Sequence, residues 1–499
     1  MAKGRLTAKK VLAVDFGASS GRVMLGSFDG ESIELEEIHR FANEPVFLND
    51  TMYWDFLRLF HEVKQGLIRA KRIDGIQSIS VDTWGVDFGL LDRNGRLMES
   101  PIHYRDARTQ GMLEKSFEKM EKERFYQITG NQFMEINTAF QLLALLEKRK
   151  EFLERADALL LMPDLFLYFL SGAKVSECSI ASTTQLFDMK QRTWSKEVIN
   201  SLEIPKHLFQ DVVPSAVKVG TLKENICREL GIAPMDVVAV AGHDTQCALA
   251  AVPSMEEEFL FLSCGTWSLI GTELDAPVMN EAAQRYNVTN EAAYKDKVSF
   301  LKNIIGLWLI QESRRQWMRE GHTYSFSELE RLAADAEAFS CLIDPDVPEF
   351  APAGNIPEKI RAYAAKTGQK APDSVGAVVR CINESLALKY RAAKEEIEAC
   401  TGKLYAKIHM VGGGTQSGML CQMTADACGC PVAAGPVEAT VLGNVVLQLI
   451  ASGDISDLKE ARKMLARTEK VEIYLPREQE KEIWNERYQE YRKRILHQM

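Results

Sequence analysis

No apolar run in this sequence approaches the roughly 18 residues that a membrane-crossing helix needs, so a spanning segment is not expected. The opening MAKGRLTAKK leads into VLAVDFG, where Asp15 interrupts any apolar stretch of a secretory leader. Positive charge is also in short supply. Sixty Lys and Arg against seventy Asp and Glu leave a formal charge of −10, which offers no bulk attraction to phosphate backbones, and nucleic acid is not an expected partner. Cysteines are sparse for 499 residues, ten in all: Cys178, Cys227, Cys247, Cys264, Cys341, Cys381, Cys400, Cys421, Cys428 and Cys430. Without a leader they are expected as reduced thiols in a cytoplasmic protein. The group Cys421, Cys428 and Cys430 lacks both a C-x-x-C pair and a nearby His-x-x-x-His, so no zinc site is expected. G-x-x-x-x-G-K-[ST] occurs nowhere, which excludes a P-loop.

What is present is a globular composition, 46% hydrophobic, 26% charged and 8% aromatic, long enough for two large domains or three average ones. The first forty residues read as three strands, VLAVDFG, RVMLGSF and SIELEEIHRF, the second and third joined by a turn at Asp29-Gly30. Trp54, Phe56, Leu57, Phe60, Val63, Leu67 and Ile68 then repeat at helical spacing. IQSISVDTWGVDFGLLD reads as a strand running on to a turn at Asn94-Gly95, and a helix is expected over Thr138 to Lys150. The segment EEFLFLSCGTWSLIGTEL repeats the arrangement of VLAVDFGASSGRVMLGSF, with Gly265 standing 248 residues after Gly17. This spacing suggests an internal duplication, with domains over 1–252 and 253–499. Helices are expected over Gly306 to Gly321, Ser325 to Ala338, Pro372 to Cys400, Gln416 to Cys428 and Glu438 to Ser452. A charged terminal helix, Arg477 to Gln498, reads as a solvated cap.

Five segments can carry chemistry. Asp15 to Arg22 follows an apolar strand with glycines, two serines and successive backbone N–H groups, the composition of a phosphate cradle or of a plain hairpin turn. Asp15 at its strand end suits a water-mediated Mg²⁺ contact, since that ion keeps several waters. Ser263 to Ser268 is the corresponding turn of the second half. Val411 to Ser417 brings three glycines into the start of a helix, whose free N–H groups can face an anion, or is a structural turn. In Gly242-His243-Asp244-Thr245, Asp244 is either a helix N-cap or a general base that takes a hydroxyl proton during phosphoryl transfer. Asp82 to Asp87 places polar groups and Trp84 at a strand end, as a sugar site or as core.

AVDFGASSGRVML, EIHRF, DTWGVDFGLLD, YRDART, LLMPDLFLYFLSG, GHDT, SCGTWSL, LKNIIGLWLIQ, VGGGTQ and AGPVEATVLGN, in that order along nearly the whole chain, resemble the sugar kinases of the FGGY carbohydrate kinase family. The resemblance implies an α/β fold of two ribonuclease-H-like domains, as in actin-like ATPases, with an interdomain cleft. The N-terminal domain would hold the sugar, the base and the first phosphate turn; the C-terminal domain would hold the second phosphate turn and the adenosine. It implies Asp244 as catalytic base and Gly85, His243, Asp244, Thr245 and Asn303 as sugar contacts. ATP contacts are implied at Gly17, Ala18, Ser19, Ser20, Gly21, Arg22, Thr266, Gln311 and Gly413. The implied reaction is ATP-dependent phosphorylation of L-rhamnulose at its 1-hydroxyl with Mg²⁺, in L-rhamnose degradation. A kinase for another ketose, such as L-fuculose or D-xylulose, is the rival enzyme, and a catalytically silent sugar-binding regulator the rival from another class. Two departures stand beside the implied site: Gly242 where family members often carry serine, and Cys264 in a turn that is otherwise serine-rich.

Overall fold

Six consecutive buried residues, Val11 to Phe16, make β1 (Lys9–Phe16) a central strand covered on both faces. In the computed structural model, which describes residues 8–497, β1 pairs antiparallel with β2 (Ser20–Phe28), and β2 with β3 (Ile33–Ala42). The three expected strands are thus present. Met1 to Thr7, and Gln498 and Met499 at the other end, lie outside the described residues. On its other side β1 runs parallel to β4 (Ile76–Thr83). With β5 (Val217–Thr221) and β6 (Asp236–Ala239), the sheet order is β5-β6-β4-β1-β2-β3. The expected single strand from Ile76 to Leu91 is broken: Phe88–Leu91 leaves this sheet and pairs with Ala158–Leu161.

The helix Phe56–Ala70 begins where Asp55 accepts from Arg58 N, and it buries Phe56, Leu59, Val63, Gly66, Leu67 and Ala70 as one stripe. Gly66 permits close contact with the sheet, since a Cβ there would lie 2.5 Å from Val23. The helix Ala439–Ser452 packs on β1 and β4 through buried amides. Gln448 Nε2 donates to the Leu12 carbonyl at 3.0 Å, and Ser78 Oγ donates to Gln448 Oε1 at 2.6 Å.

That helix shows why the chain does not divide at one point. The first compact unit takes the residues up to Met255 and adds Glu273–Phe300 and Ala439–Thr468; the second takes Glu256–Thr272, Leu301–Glu438 and the residues from Glu469 on. These boundaries differ from the single cut at 252/253 by two returns to the first unit.

In the second unit β7 (Leu260–Cys264) pairs antiparallel with β8 (Trp267–Leu274), and beyond β8 lies β9 (Val298–Ile305). On the other side β7 runs parallel to β10 (Ile408–Val411), β10 parallel to β11 (Val432–Ala434), and β11 antiparallel to β12 (Glu472–Tyr474). The seven-stranded sheet has the order (Thr289–Ala292)-β9-β8-β7-β10-β11-β12, and from β8 to β12 it repeats the first unit's plan of an antiparallel hairpin, two parallel additions and an antiparallel edge. The duplication suggested by the glycine turns is present in the strand order. The longest helix, Val375–Thr401, starts at the Ser374 cap and stops at Gly402, which has φ 70°. The terminal helix is Lys481–Arg494, and it is not simply a solvated cap. Trp484, Tyr488 and Tyr491 are buried in a core cluster with Leu388, Ala392 and Met423.

Candidate active site

In the first unit, the carboxyl ends of β1 and β4 and the loop after β6 bring three carboxylates to one edge of the sheet, the edge where parallel α/β sheets bind ligands. Asp15 and Asp82 are register partners across β1 and β4. Thr83 bridges His243, its N–H donating to the Gly242 carbonyl at 2.9 Å, and Asp244 opens the helix Asp244–Ala250. Asp82 is fully buried and accepts from Asn444 Nδ2 at 2.6 Å. Burial, reinforced by the charge of Asp15, pushes its carboxyl well above the usual range. The Asp244 side chain is 30% exposed. Burial raises its carboxyl to about 6, His243 pulls it down, and Asp15 pushes it up again.

The expected phosphate turn is tight. Gly17 N donates to the Ser20 carbonyl at 2.9 Å, and Asn43 pins the turn from outside, its side chain donating to the Gly17 carbonyl and its backbone N–H to the Ser19 carbonyl. Ala18, Ser19 and Ser20 are half-buried. Gly21 answers to packing, because a Cβ there would sit 2.3 Å from the Phe41 ring. Arg22 turns back on Asp15, its Nε and Nη2 lying 2.9 and 2.7 Å from Oδ2.

Three further buried carboxylates hold this edge in place: Glu177 and Glu291, which no motif in the sequence marks, and Asp87, the last residue of the Asp82 to Asp87 segment. Glu177, 1% exposed, accepts from the N–H groups of Gly242, Ser179 and Ile180 and from the hydroxyls of Ser179 and Ser215. Glu291, 3% exposed, accepts from His243 Nδ1 and Gln246 Nε2, each at 2.9 Å. Asp87 accepts from the indoles of Trp54 and Trp84, from Tyr104 N and from Gln141. Burial raises Asp87 to about 6 against those donors. Trp84 stacks on Trp54 with centroids 4.0 Å apart and gives its N–H to Asp87, so it supports the Gly85 turn from behind. Beyond Gly85, Val86 has φ 68°, a genuine outlier for a β-branched residue. It is held by Thr183 Oγ1 on its N–H and by Thr138 Oγ1 on its carbonyl. Strain of this kind clusters at functional sites, and here it lies next to Gly85. Thr245 donates to Asp244 Oδ1 at 3.2 Å.

Gly242 fits tightly, since a Cβ would lie 2.9 Å from Pro163 Cγ and 3.2 Å from Glu177 Oε2. Burial works against a charged His243. Glu291, with Asp244 and Glu177 behind it, outweighs that effect and raises the imidazole to about 9.

In the second unit Thr266 and Gln311 meet directly, Thr266 Oγ1 donating to Gln311 Oε1 at 3.2 Å. The turn carrying Thr266 is closed by Gly306, Leu307 and Trp308, whose N–H groups donate to the Thr266 or Gly265 carbonyls. The glycine turn at 412–414 packs on this hairpin: Gly412 has φ 87°, and a Cβ on Gly414 would fall 2.2 Å from Cys264 Sγ. Cys264 is fully buried against Gly414, Ser268 and Tyr390, so its departure from serine is a packing matter. Around Gly413 a Cβ would meet nothing within 4 Å, and the glycine borders open space. The expected free N–H groups behind it are not free. The helix starts at Gly418, Ser417 Oγ accepts from Leu420 N, and Glu330 accepts from Met419 N. Asn303 is half-buried on β9.

Residues 10–251 match the N-terminal domain of the FGGY family of carbohydrate kinases, and residues 260–452 match its C-terminal domain. The chain belongs to this family. A protein named rhamnulokinase from Bacteroides thetaiotaomicron is 40% identical over 477 residues, covering 95% of this chain and 97% of its own. One of the same name from Enterococcus faecalis is 38% identical over 499 residues, 99% of both chains. The crystal structure of ligand-bound xylulose kinase from Lactobacillus acidophilus superposes with a TM-score of 0.80 at 17% identity, over 97% of each chain. This carbohydrate kinase therefore has the two-domain FGGY fold, built on a six-stranded and a seven-stranded sheet. Among the described residues of the kinase, no helix is long and apolar enough to cross a membrane.

Proposed function

We propose that this kinase transfers the γ-phosphoryl group of ATP to the 1-hydroxyl of L-rhamnulose, giving L-rhamnulose 1-phosphate and ADP, as a step of L-rhamnose degradation. The observation that carries the sugar assignment is the match, along essentially the whole chain, to relatives named rhamnulokinase. Asp244 takes the hydroxyl proton as the O1–phosphorus bond forms and the bond to the ADP oxygen breaks. Its carboxyl near 6 supports this role, because the group is ionised at neutral pH yet basic enough to accept a proton. Gly85, His243, Thr245 and Asn303 bind the sugar. The turn from Gly17 to Arg22, with Thr266, Gln311 and Gly413, binds ATP.

Asp15 offers the hard oxygen donors that Mg²⁺ prefers, whereas Asp82 beside it is fully buried and its carboxyl pushed well above the usual range. Among the described residues no three His, Cys, Asp or Glu side chains converge to hold a metal ion. That donor set fits an ion that keeps most of its waters, held through Asp15. Bound with ATP, Mg²⁺ would neutralise phosphate charge. A cytoplasmic setting belongs to the same reading, in keeping with ten cysteines that form no disulfide.

The test is ADP release with L-rhamnulose, L-fuculose and D-xylulose in parallel, with the phosphorylated carbon located by ³¹P–¹H correlation. L-Rhamnulose is expected to give the highest kcat/KM and a 1-phosphate. Equal or better turnover of another ketose sinks the sugar assignment, and no turnover with any sugar favours the regulator.

A further inference from the structure

Glu291 lies in the short strand Thr289–Ala292, all four residues of which are buried. A buried carboxylate without partners is costly, so such groups are paired or placed to do something. The two donors to Glu291, His243 Nδ1 and Gln246 Nε2, both reach Oε2 at 2.9 Å. The other ring nitrogen of His243, Nε2, stands 3.4 Å from Asp244 Oδ1. Glu291, His243 and Asp244 thus form a line, and the ring cannot rotate without breaking its bond to Glu291. Glu177, the remaining carboxylate near the ring, is engaged by the backbone of Gly242, Ser179 and Ile180. It fixes the chain leading into His243 and leaves the ring's orientation to Glu291.

We propose that Glu291 is a positioning residue for phosphoryl transfer: through His243 Nδ1 it fixes the imidazole edge that faces the Asp244 carboxylate and the sugar. This rests on the reading of Asp244 as base and His243 as sugar contact. Glu291 itself touches neither substrate nor the reacting atoms.

Glu291→Asp keeps the charge but withdraws the acceptor by one methylene, about 1.5 Å, whereas Glu291→Gln keeps an acceptor at the original reach. Misplacement on that scale costs up to about 100-fold, and loss of such supporting contacts about 10- to 100-fold. Glu291→Asp is expected to lower kcat for L-rhamnulose by about 10- to 100-fold, with KM for ATP within twofold of the parent. Glu291→Gln is expected to stay within about fivefold of the parent kcat, because an amide oxygen still accepts from His243. Folded Glu291→Asp with parental kcat overturns the proposal. So does a parallel rise in KM for ATP and for sugar, the mark of a general structural role, or a Glu291→Gln no better than Glu291→Asp. Asp244→Asn in the same assay separates the layers. If it turns over normally, the base assignment fails and takes Glu291 with it. If it is inactive while Glu291→Asp is unimpaired, the Glu291 proposal alone fails.

Discussion

Asp244→Asn should abolish most turnover and at the same time stabilise the first unit. The carboxyl rises from its ordinary 3.8 to about 6, chiefly through burial, and that gap corresponds to about 3 kcal/mol. A carboxyl whose folded value lies above its unfolded one holds its proton more tightly when folded, so ionising it weakens the fold. The penalty is small below about pH 4, grows between about 4 and 6, and is complete above that range. The amide never ionises and escapes it, although it also loses the attraction to the His243 imidazolium. The net gain at pH 7.5 is therefore expected at about 1–3 kcal/mol, an upward shift of about 2–8 °C for a unit of this size. Loss of a positioned base should lower kcat by about 10²- to 10⁴-fold. Calorimetry of both proteins at pH 5, 6 and 7.5, beside ADP release at pH 7.5, tests both arms. The reasoning is refuted if the asparagine variant melts at or below the parent at pH 7.5, if its advantage does not grow with pH, or if it turns over normally.

The same carboxyl sets the acid limb of activity: kcat/KM for the sugar should fall about tenfold per pH unit below about pH 6, and a flat profile down to pH 5 would contradict Asp244 as base. Gly443→Ala would place a Cβ 1.8 Å from the Cys247 carbonyl oxygen in the helix that Asp244 opens. Urea unfolding should show a loss of about 3 kcal/mol or more, and an unchanged midpoint would mean the two helices part freely. Asn444→Leu removes the amide that donates to fully buried Asp82 and accepts from Gln448. A loss of about 1–3 kcal/mol is expected in the same measurement, and parental stability would show that Asp82 finds another donor.

Much of this arrangement was legible in the sequence because it is local. Apolar runs ending in Asp15, in Asp82 and before Gly242 mark strand ends, and the matching turns at Gly17 and Gly265 correctly announce two units with one strand plan. The returns of Glu273–Phe300 and Ala439–Thr468 to the first unit were not legible. The contacts that draw them there, such as Asn444 on Asp82 and Glu291 on His243, join residues far apart in the chain and leave no periodic trace. The break after Thr83 escaped for a related reason. Val86 is a good strand former, and Thr138, Gln141 and Thr183 from elsewhere in the unit hold it at positive φ.

Glu177 and Glu291 were missed on different grounds, since an isolated glutamate ordinarily reads as surface. The available signal lay in their neighbours: Ser176-Glu177-Cys178-Ser179 and Thr289-Asn290-Glu291-Ala292 are uncharged apart from the glutamate. A carboxylate in such a run has no local cation to pair with, so if the run is buried its partners must come from a distance. For Glu291 they come from the Gly242–Gln246 segment that carries Asp244, whereas Glu177 takes Gly242 N and Ser215 Oγ from a distance and the rest from its own neighbours Ser179 and Ile180. The lone charges of these two segments both reach the turn that bears Asp244, Glu177 on its backbone and Glu291 on its imidazole. The proposed orientation of the Asp244 carboxylate thus depends on buried charge contributed from outside the motif that reveals it.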